Sequence, residues 1–128
     1  MSTPKVLIVD DSECMRRILC NVLNTIDSHV LQGTTAQEGL GILLREPVDL
    51  LITNWNMLET SGLEFTREVR SLETFQELPI LILSNRDSDT MRREALMAGV
   101  DAFVGKSAPF DRLRAEVLRL LKSLPELD

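Results

Sequence analysis

Apolar residues fall into two alternating rhythms along the chain. Lys5 to Val9, Val48 to Thr53, Pro79 to Leu83 and Ala102 to Val104 form short, nearly continuous apolar runs. Runs of this length read as strands buried on both faces, the habit of a parallel sheet. Val30-Leu31 is a weaker run, expected near a sheet edge. Between the runs the spacing is helical. Met15, Ile18, Leu19, Val22, Leu23 and Ile26 mark a first helix, with Arg16, Arg17 and Asn21 on its other side. Ala36 to Arg45 marks a second, closed by Pro47, in which Gly39 and Gly41 each lower helicity by ~1 kcal/mol relative to alanine. A loop from Leu58 to Gly62 precedes a third helix at Leu63, Phe65, Val69 and Leu72. Met91, Ala95, Leu96 and Ala98 give a fourth, ended by Gly99. Leu113, Val117, Leu120 and Leu121 give a fifth, with Pro109 in its first turn. Asp11 or Ser12, Thr34 or Thr35, and Ser88 are candidate N-caps. Five strand–helix pairs predict one α/β domain over residues 1–128, a parallel sheet with helices on both faces. Leu124 to Asp128 are expected to be loose.

Composition narrows the class. The 128 residues are 44% hydrophobic and carry a net charge of −6, with a pI near 4.8. An acidic globule of this kind is not expected to bind nucleic acid or an anionic membrane directly. No apolar run reaches the ~18 residues of a membrane span, and Met1 to Pro4 lacks a signal-peptide pattern, so a cytoplasmic protein is expected. Cys14 and Cys20 match neither a CxxC motif nor a disulfide framework. Cys14 is expected under the first strand and Cys20 nearer the surface. The single His29 is read as a surface residue at a strand start.

The candidate chemistry lies at strand ends. Asp10 and Asp11 follow the first strand, Asn54 and Asn56 the third, Ser84 the fourth and Lys106 the fifth. In a parallel sheet these ends share one rim, where ligands bind. Carboxylates suit Mg²⁺. A hydroxyl and an ammonium suit phosphoryl oxygens. A flavodoxin-type electron carrier would need a hydroxyl- and glycine-rich phosphate loop where Asp10-Asp11 stands. A haloacid-dehalogenase-like phosphatase would need Asp-x-Asp there. Neither enzyme reading fits, and a signalling or binding module remains.

With these residues in hand, the sequence resembles the receiver domain of two-component response regulators, above all the single-domain chemotaxis type. The resemblance rests on Val6 to Ser12, Asp49 to Met57, Ser61 to Leu63, Pro79 to Ser84, Ala98-Gly99 and Lys106. It implies a flavodoxin-like sheet of order 2-1-3-4-5 and a site phosphorylated by a histidine kinase. Asp11, and Asp10 largely through water, would hold Mg²⁺ with the Asn56 backbone carbonyl. Ser84 and Lys106 would contact the phosphoryl group, and Phe103 matches an aromatic switch position. The face of the fourth helix, fifth strand and fifth helix (Arg92, Arg93, Met97, Phe103, Phe110, Arg114) would dock a kinase or a downstream protein, the chain being a monomer or weak dimer. Met97 and Phe110 read equally well as core residues.

Three positions depart from the family pattern. Asn54 stands where the acceptor aspartate is expected, and a carboxamide cannot form an acyl phosphate. It also removes a negative charge, which at ~4 Å and an effective dielectric of ~20 is worth up to ~4 kcal/mol to a cation. Mg²⁺ is therefore expected to bind weakly or not at all. Leu58 replaces a proline after Asn56-Met57. Ser107 replaces the proline that follows the lysine through a cis bond, so a trans bond is expected, since cis before a non-proline costs ~3 kcal/mol. Two readings follow. One is a natural pseudo-receiver acting by protein contacts. The other is a phosphorylatable regulator in which an engineered Asp-to-Asn change stands at position 54. Arg86 reads as a solvated loop charge, and Trp55 as an aromatic loop residue beside the site.

Overall fold

A computed structural model describes residues 3–122 of the chain. Strands β1 (Lys5–Val9), β2 (His29–Gly33), β3 (Leu50–Asn54), β4 (Ile80–Ser84) and β5 (Ala102–Gly105) alternate with helices α1 (Glu13–Leu23), α2 (Ala36–Arg45), α3 (Gly62–Ser71), α4 (Asp89–Ala98) and α5 (Phe110–Lys122). A single 3₁₀ turn, Glu73–Phe75, follows α3. All strand pairs are parallel, and the sheet order is β2-β1-β3-β4-β5. The expected loose stretch from Leu124 lies outside the described residues.

The pleat divides each strand's residues between two cores. Leu7, Val9, Leu51, Ile80, Ile82 and Phe103 face α2, α3 and α4, meeting Ile42, Phe65, Val69 and Ala95. Val6, Ile8, Leu50, Ile52, Leu81 and Val104 face α1 and α5, meeting Leu19, Leu23, Val117 and Leu120. Burial on both faces is why the strands carry no polar alternation. Each such Val, Leu or Ile contributes ~1.5–3 kcal/mol relative to an exposed position. β2, at the edge, leaves His29 and Gln32 exposed.

Hydroxyl caps start four helices. Ser12, Thr35, Ser61 and Ser88 accept from the backbone N–H of Met15, Glu38, Glu64 and Met91. Ser12 and Thr35 are therefore the caps, not Asp11 and Thr34. Glu38 Oε1 reaches back past the cap to accept from Thr34 N–H at 3.1 Å. Gly99 ends α4 in the left-handed region, φ 108°. Pro109 directly precedes α5, its carbonyl accepting from Arg112 and Leu113. No peptide bond among the described residues is cis, as expected before Ser107.

Three expectations change. The third strand is Leu50–Asn54 rather than Val48 to Thr53. Asp49 turns its carboxylate onto the Lys5 N–H at 2.8 Å, and Asn54 pairs with Leu83. The cysteines are reversed, with Cys14 exposed and Cys20 half-buried, because Cys20 shares a helix face with Leu23, three residues on, and packs against the core. Met97 is 82% exposed and so is not core.

At the sheet's N-terminal rim, Arg70 of α3 ties separate segments together. Its guanidinium donates to Gly99 O at 2.9 Å, Phe75 O at 2.7 Å and Asp101 Oδ2 at 3.0 Å. Asp101 Oδ2 also accepts from Ile80 N–H, which opens β4. Among the described residues, no helix is long and apolar enough to cross a membrane.

Candidate functional site

The parallel register brings the predicted residues to one rim. Val9 lies opposite Thr53, Asn54 opposite Leu83, and Ser84 opposite Gly105. Asp10, Asn54, Ser84 and Lys106 therefore stand at adjacent strand ends. The ends are held by main-chain bonds: Asp10 N–H to Gly33 O, Trp55 N–H to Leu83 O, and Lys106 N–H to Ser84 O. Asp10 and Ser84 are fully buried, Asn54 nearly so, and Lys106 is half-exposed.

Asn54 uses its amide locally. Its Nδ2 donates to the backbone carbonyl of Asn56. Its Oδ1, pointing the other way, is a buried acceptor without a hydrogen-bond donor, as is Asp10 Oδ2. The second oxygen of Asp10 accepts from Ser12 N–H at 2.9 Å. Asp11, at the exposed lip, accepts at Oδ2 from the backbone N–H of Leu58 at 3.2 Å. Beyond Leu58 the loop tightens. Thr60 N–H reaches Leu58 O at 2.8 Å across Glu59, whose φ is 71°. That is the signature of a strained γ-turn. Ser84 Oγ accepts from Arg86 N–H at 3.1 Å.

Burial raises the Asp10 carboxyl above the usual carboxylate range, outweighing the lowering pull of the Ser12 N–H, Lys106 and Arg16, while Asp11 adds to the rise. Such a carboxyl binds its proton more tightly folded than unfolded. Its stabilising contribution is fully present below the unfolded value and is lost as pH rises through the raised one. At neutral pH the buried charge is a cost. Asp10→Asn should therefore raise stability by about 1–2 kcal/mol at neutral pH. The gain should shrink as the pH is lowered through the raised value. Urea unfolding at two pH values reads both, and a midpoint lowered at neutral pH would contradict this account.

Around this rim lie residues to which the sequence assigns no role. Arg16 Nη1 donates to Asp10 O at 2.7 Å. Gly62 abuts the Asn54 carbonyl, and its N–H donates to Trp55 O. Gly62 follows the capping serine of a Ser61-x-x-Glu64 pattern, a signal that could have placed the helix start there. Trp55 is half-buried and meets the buried Phe103 ring edge-on, centroids 6.1 Å apart. Of the residues expected on the face of α4, β5 and α5, Arg92, Arg93 and Met97 lie on α4, Phe103 on β5 and Phe110 at the start of α5. Arg114, also on α5, is directed elsewhere. It reaches past α1 to Thr25, with Nε 2.9 Å from Thr25 Oγ1.

The family model for the response regulator receiver domain matches residues 6–118. The chain belongs to this family. It is 36% identical over 104 residues to a chemotaxis protein CheY homolog of Campylobacter jejuni, covering 80% of each chain. It is 34% identical over 122 residues to the chemotaxis protein CheY of Pseudomonas aeruginosa, covering 92% of this chain and 96% of that one. Among solved structures, the chemotaxis response regulator CheY4 of Vibrio cholerae superposes with a TM-score of 0.87 at 27% identity, over 94% of this chain and 100% of that one. The protein is thus a CheY-like receiver domain of two-component signalling. Receivers of this kind are signalling modules that interact with kinases or downstream proteins, and they generally bind Mg²⁺ at the acceptor site.

Proposed function

We propose that this receiver signals through protein contacts without being phosphorylated, with Asn54 occupying the phosphoacceptor position. One observation carries the reading: the Asn54 amide donates to the Asn56 carbonyl. An aspartate at position 54 has no proton to give and would leave that carbonyl free for a cation. The asparagine supplies the donor itself. Leu58 acts in the same direction. Its N–H engages Asp11 Oδ2, and a proline there would have no N–H to offer.

Two of the oxygens that Asp11 and Asn56 would present to Mg²⁺ are thus taken by donors belonging to the chain's own departures. Among the described residues, no three His, Cys, Asp or Glu side chains gather into a metal-holding group. The donor set fits Mg²⁺ poorly, and no step is assigned to the ion. Asp10, Ser84, Lys106 and Phe103 then act as a conformational framework rather than as phosphoryl chemistry. The output surface is the face of α4, β5 and α5, where Leu96, Met97 and Phe110 are exposed. A histidine kinase or downstream protein would dock there.

A second reading keeps a specific observation in its favour. Asp10 is fully buried with an orphaned oxygen, a cost that a site without chemistry has little reason to keep. On that reading, position 54 carries an engineered change in a phosphorylatable regulator. Incubation with a small-molecule phosphodonor and Mg²⁺, followed by intact mass, tests both. The chain as it stands should gain no phosphate, and an adduct would overturn the proposal. In Asn54→Asp, a fast and stable adduct would favour the engineered block. No adduct in that variant, with one appearing only when Leu58→Pro is added, would favour a natural pseudo-receiver.

A further inference from the structure

Phe103 is a purely apolar side chain, yet a charged residue holds it. It lies on β5, 3% exposed, with Trp55 against one side of its ring. On another side is Arg92, from the first turns of α4. The guanidinium carbon stands 4.9 Å from the Phe103 ring centroid. The same guanidinium donates through Nη1 to the Phe103 backbone carbonyl at 3.3 Å and through Nη2 to Asp87 Oδ1 at 2.8 Å. One planar group therefore grips the ring, the backbone of the same residue, and the loop between β4 and α4. A lysine ammonium, lacking the planar fork, cannot do all three together.

We infer that Arg92 is a latch that holds Phe103 in its inward position and so couples the loop after β4 to Trp55, the neighbour of Asn54. Arg92 acts through Phe103 and is a positioning residue. Released from Asp87, the guanidinium would uncover the Phe103 ring that it now covers. The inference concerns how residue 103 is held and does not depend on whether position 54 accepts phosphate.

The chain contains one tryptophan and no tyrosine, so Trp55 fluorescence reports the stack directly. Losing the latch should shift the inward-to-outward ratio of Phe103 by about tenfold. Arg92→Ala is therefore expected to increase acrylamide quenching of Trp55 and weaken the Trp55–Phe103 cross-peaks in NMR, while far-UV circular dichroism stays unchanged. Arg92→Lys should fall between wild type and Arg92→Ala. Arg93→Ala, with the same charge change one residue along, should match wild type. In a Phe103→Leu background, Arg92→Ala should add no further quenching. Wild-type quenching in Arg92→Ala would overturn the inference. So would an undiminished increase in the Phe103→Leu background, because Arg92 would then act on the loop and not through the ring.

Discussion

Gly62→Ala is expected to cost about 3 kcal/mol of unfolding free energy, the upper end of the range for overpacking. A Cβ on Gly62 would press directly on the Asn54 carbonyl oxygen, with the carbonyl carbon 2.9 Å and Trp55 Cα 3.1 Å away. All three are backbone atoms of the strand end, so no side chain can swing aside. Nor can α3 simply retreat. Its first N–H donates to Trp55 O at 2.7 Å, and Thr66 Oγ1 donates to Gly62 O at 2.8 Å. The strand end has to move, and it carries Asn54. A lower urea midpoint together with a changed Trp55 emission is the expected result. Gly41→Ala is the comparison, because a Cβ there meets nothing nearer than Arg45 Nη1 at 3.7 Å. It should stabilise by up to ~1 kcal/mol through helix propensity. Equal destabilisation by both would mean that the close approach at Gly62 is not the cause.

Arg70→Met is the second large effect, expected at about 2–4 kcal/mol. Methionine keeps an apolar stem beside Gly99 but takes the guanidinium donor from the Gly99 carbonyl and leaves the Phe75 carbonyl with only the Leu78 N–H, at 3.4 Å. Those carbonyls, rather than the ion pair, dominate the loss. The Asp101 side chain is 44% exposed, and solvent screens its attraction. Asp101→Asn, which keeps an acceptor for Ile80 N–H, should therefore cost under about 1 kcal/mol. Thermal or urea unfolding of the two variants decides it. Similar losses in both would assign the stability to charge pairing instead.

The contrast between these two sites shows what could be read from the chain beforehand. The sheet was legible because its strands are buried on both faces and leave uninterrupted apolar runs. The rim was legible because a parallel sheet sends all its strand ends the same way, and Asp10, Asn54, Ser84 and Lys106 each follow a run directly. Arg70 was not legible. Its partners at Phe75, Gly99 and Asp101 are brought together only by the docking of α3 beside α4, and an arginine in a helix gives no local sign of that. Arg114 misled for a related reason. Its position on α5 placed it on one face, while its length carried the guanidinium to Thr25 after α1. The cysteine reversal came from a phase error on α1, where a step of one residue, about 100° around the axis, exchanges core for surface. At Leu58 the sequence showed a missing proline but could not show that the restored N–H would find Asp11.

One main-chain bond at the site bears on its chemical lifetime. Asparagine side chains deamidate when the nitrogen of the following residue attacks the carboxamide carbon and closes a succinimide ring. Here that nitrogen belongs to Trp55, and its N–H is committed to Leu83 O at 2.7 Å. Asn54 itself is in extended strand backbone and almost wholly buried. Ring closure must wait for the strand end to open, the same event that lets the Trp55 amide exchange its hydrogen with solvent. The ladder that places the asparagine at the rim also slows its spontaneous conversion to aspartate, so the folded domain is guarded against acquiring a carboxylate at this position with age.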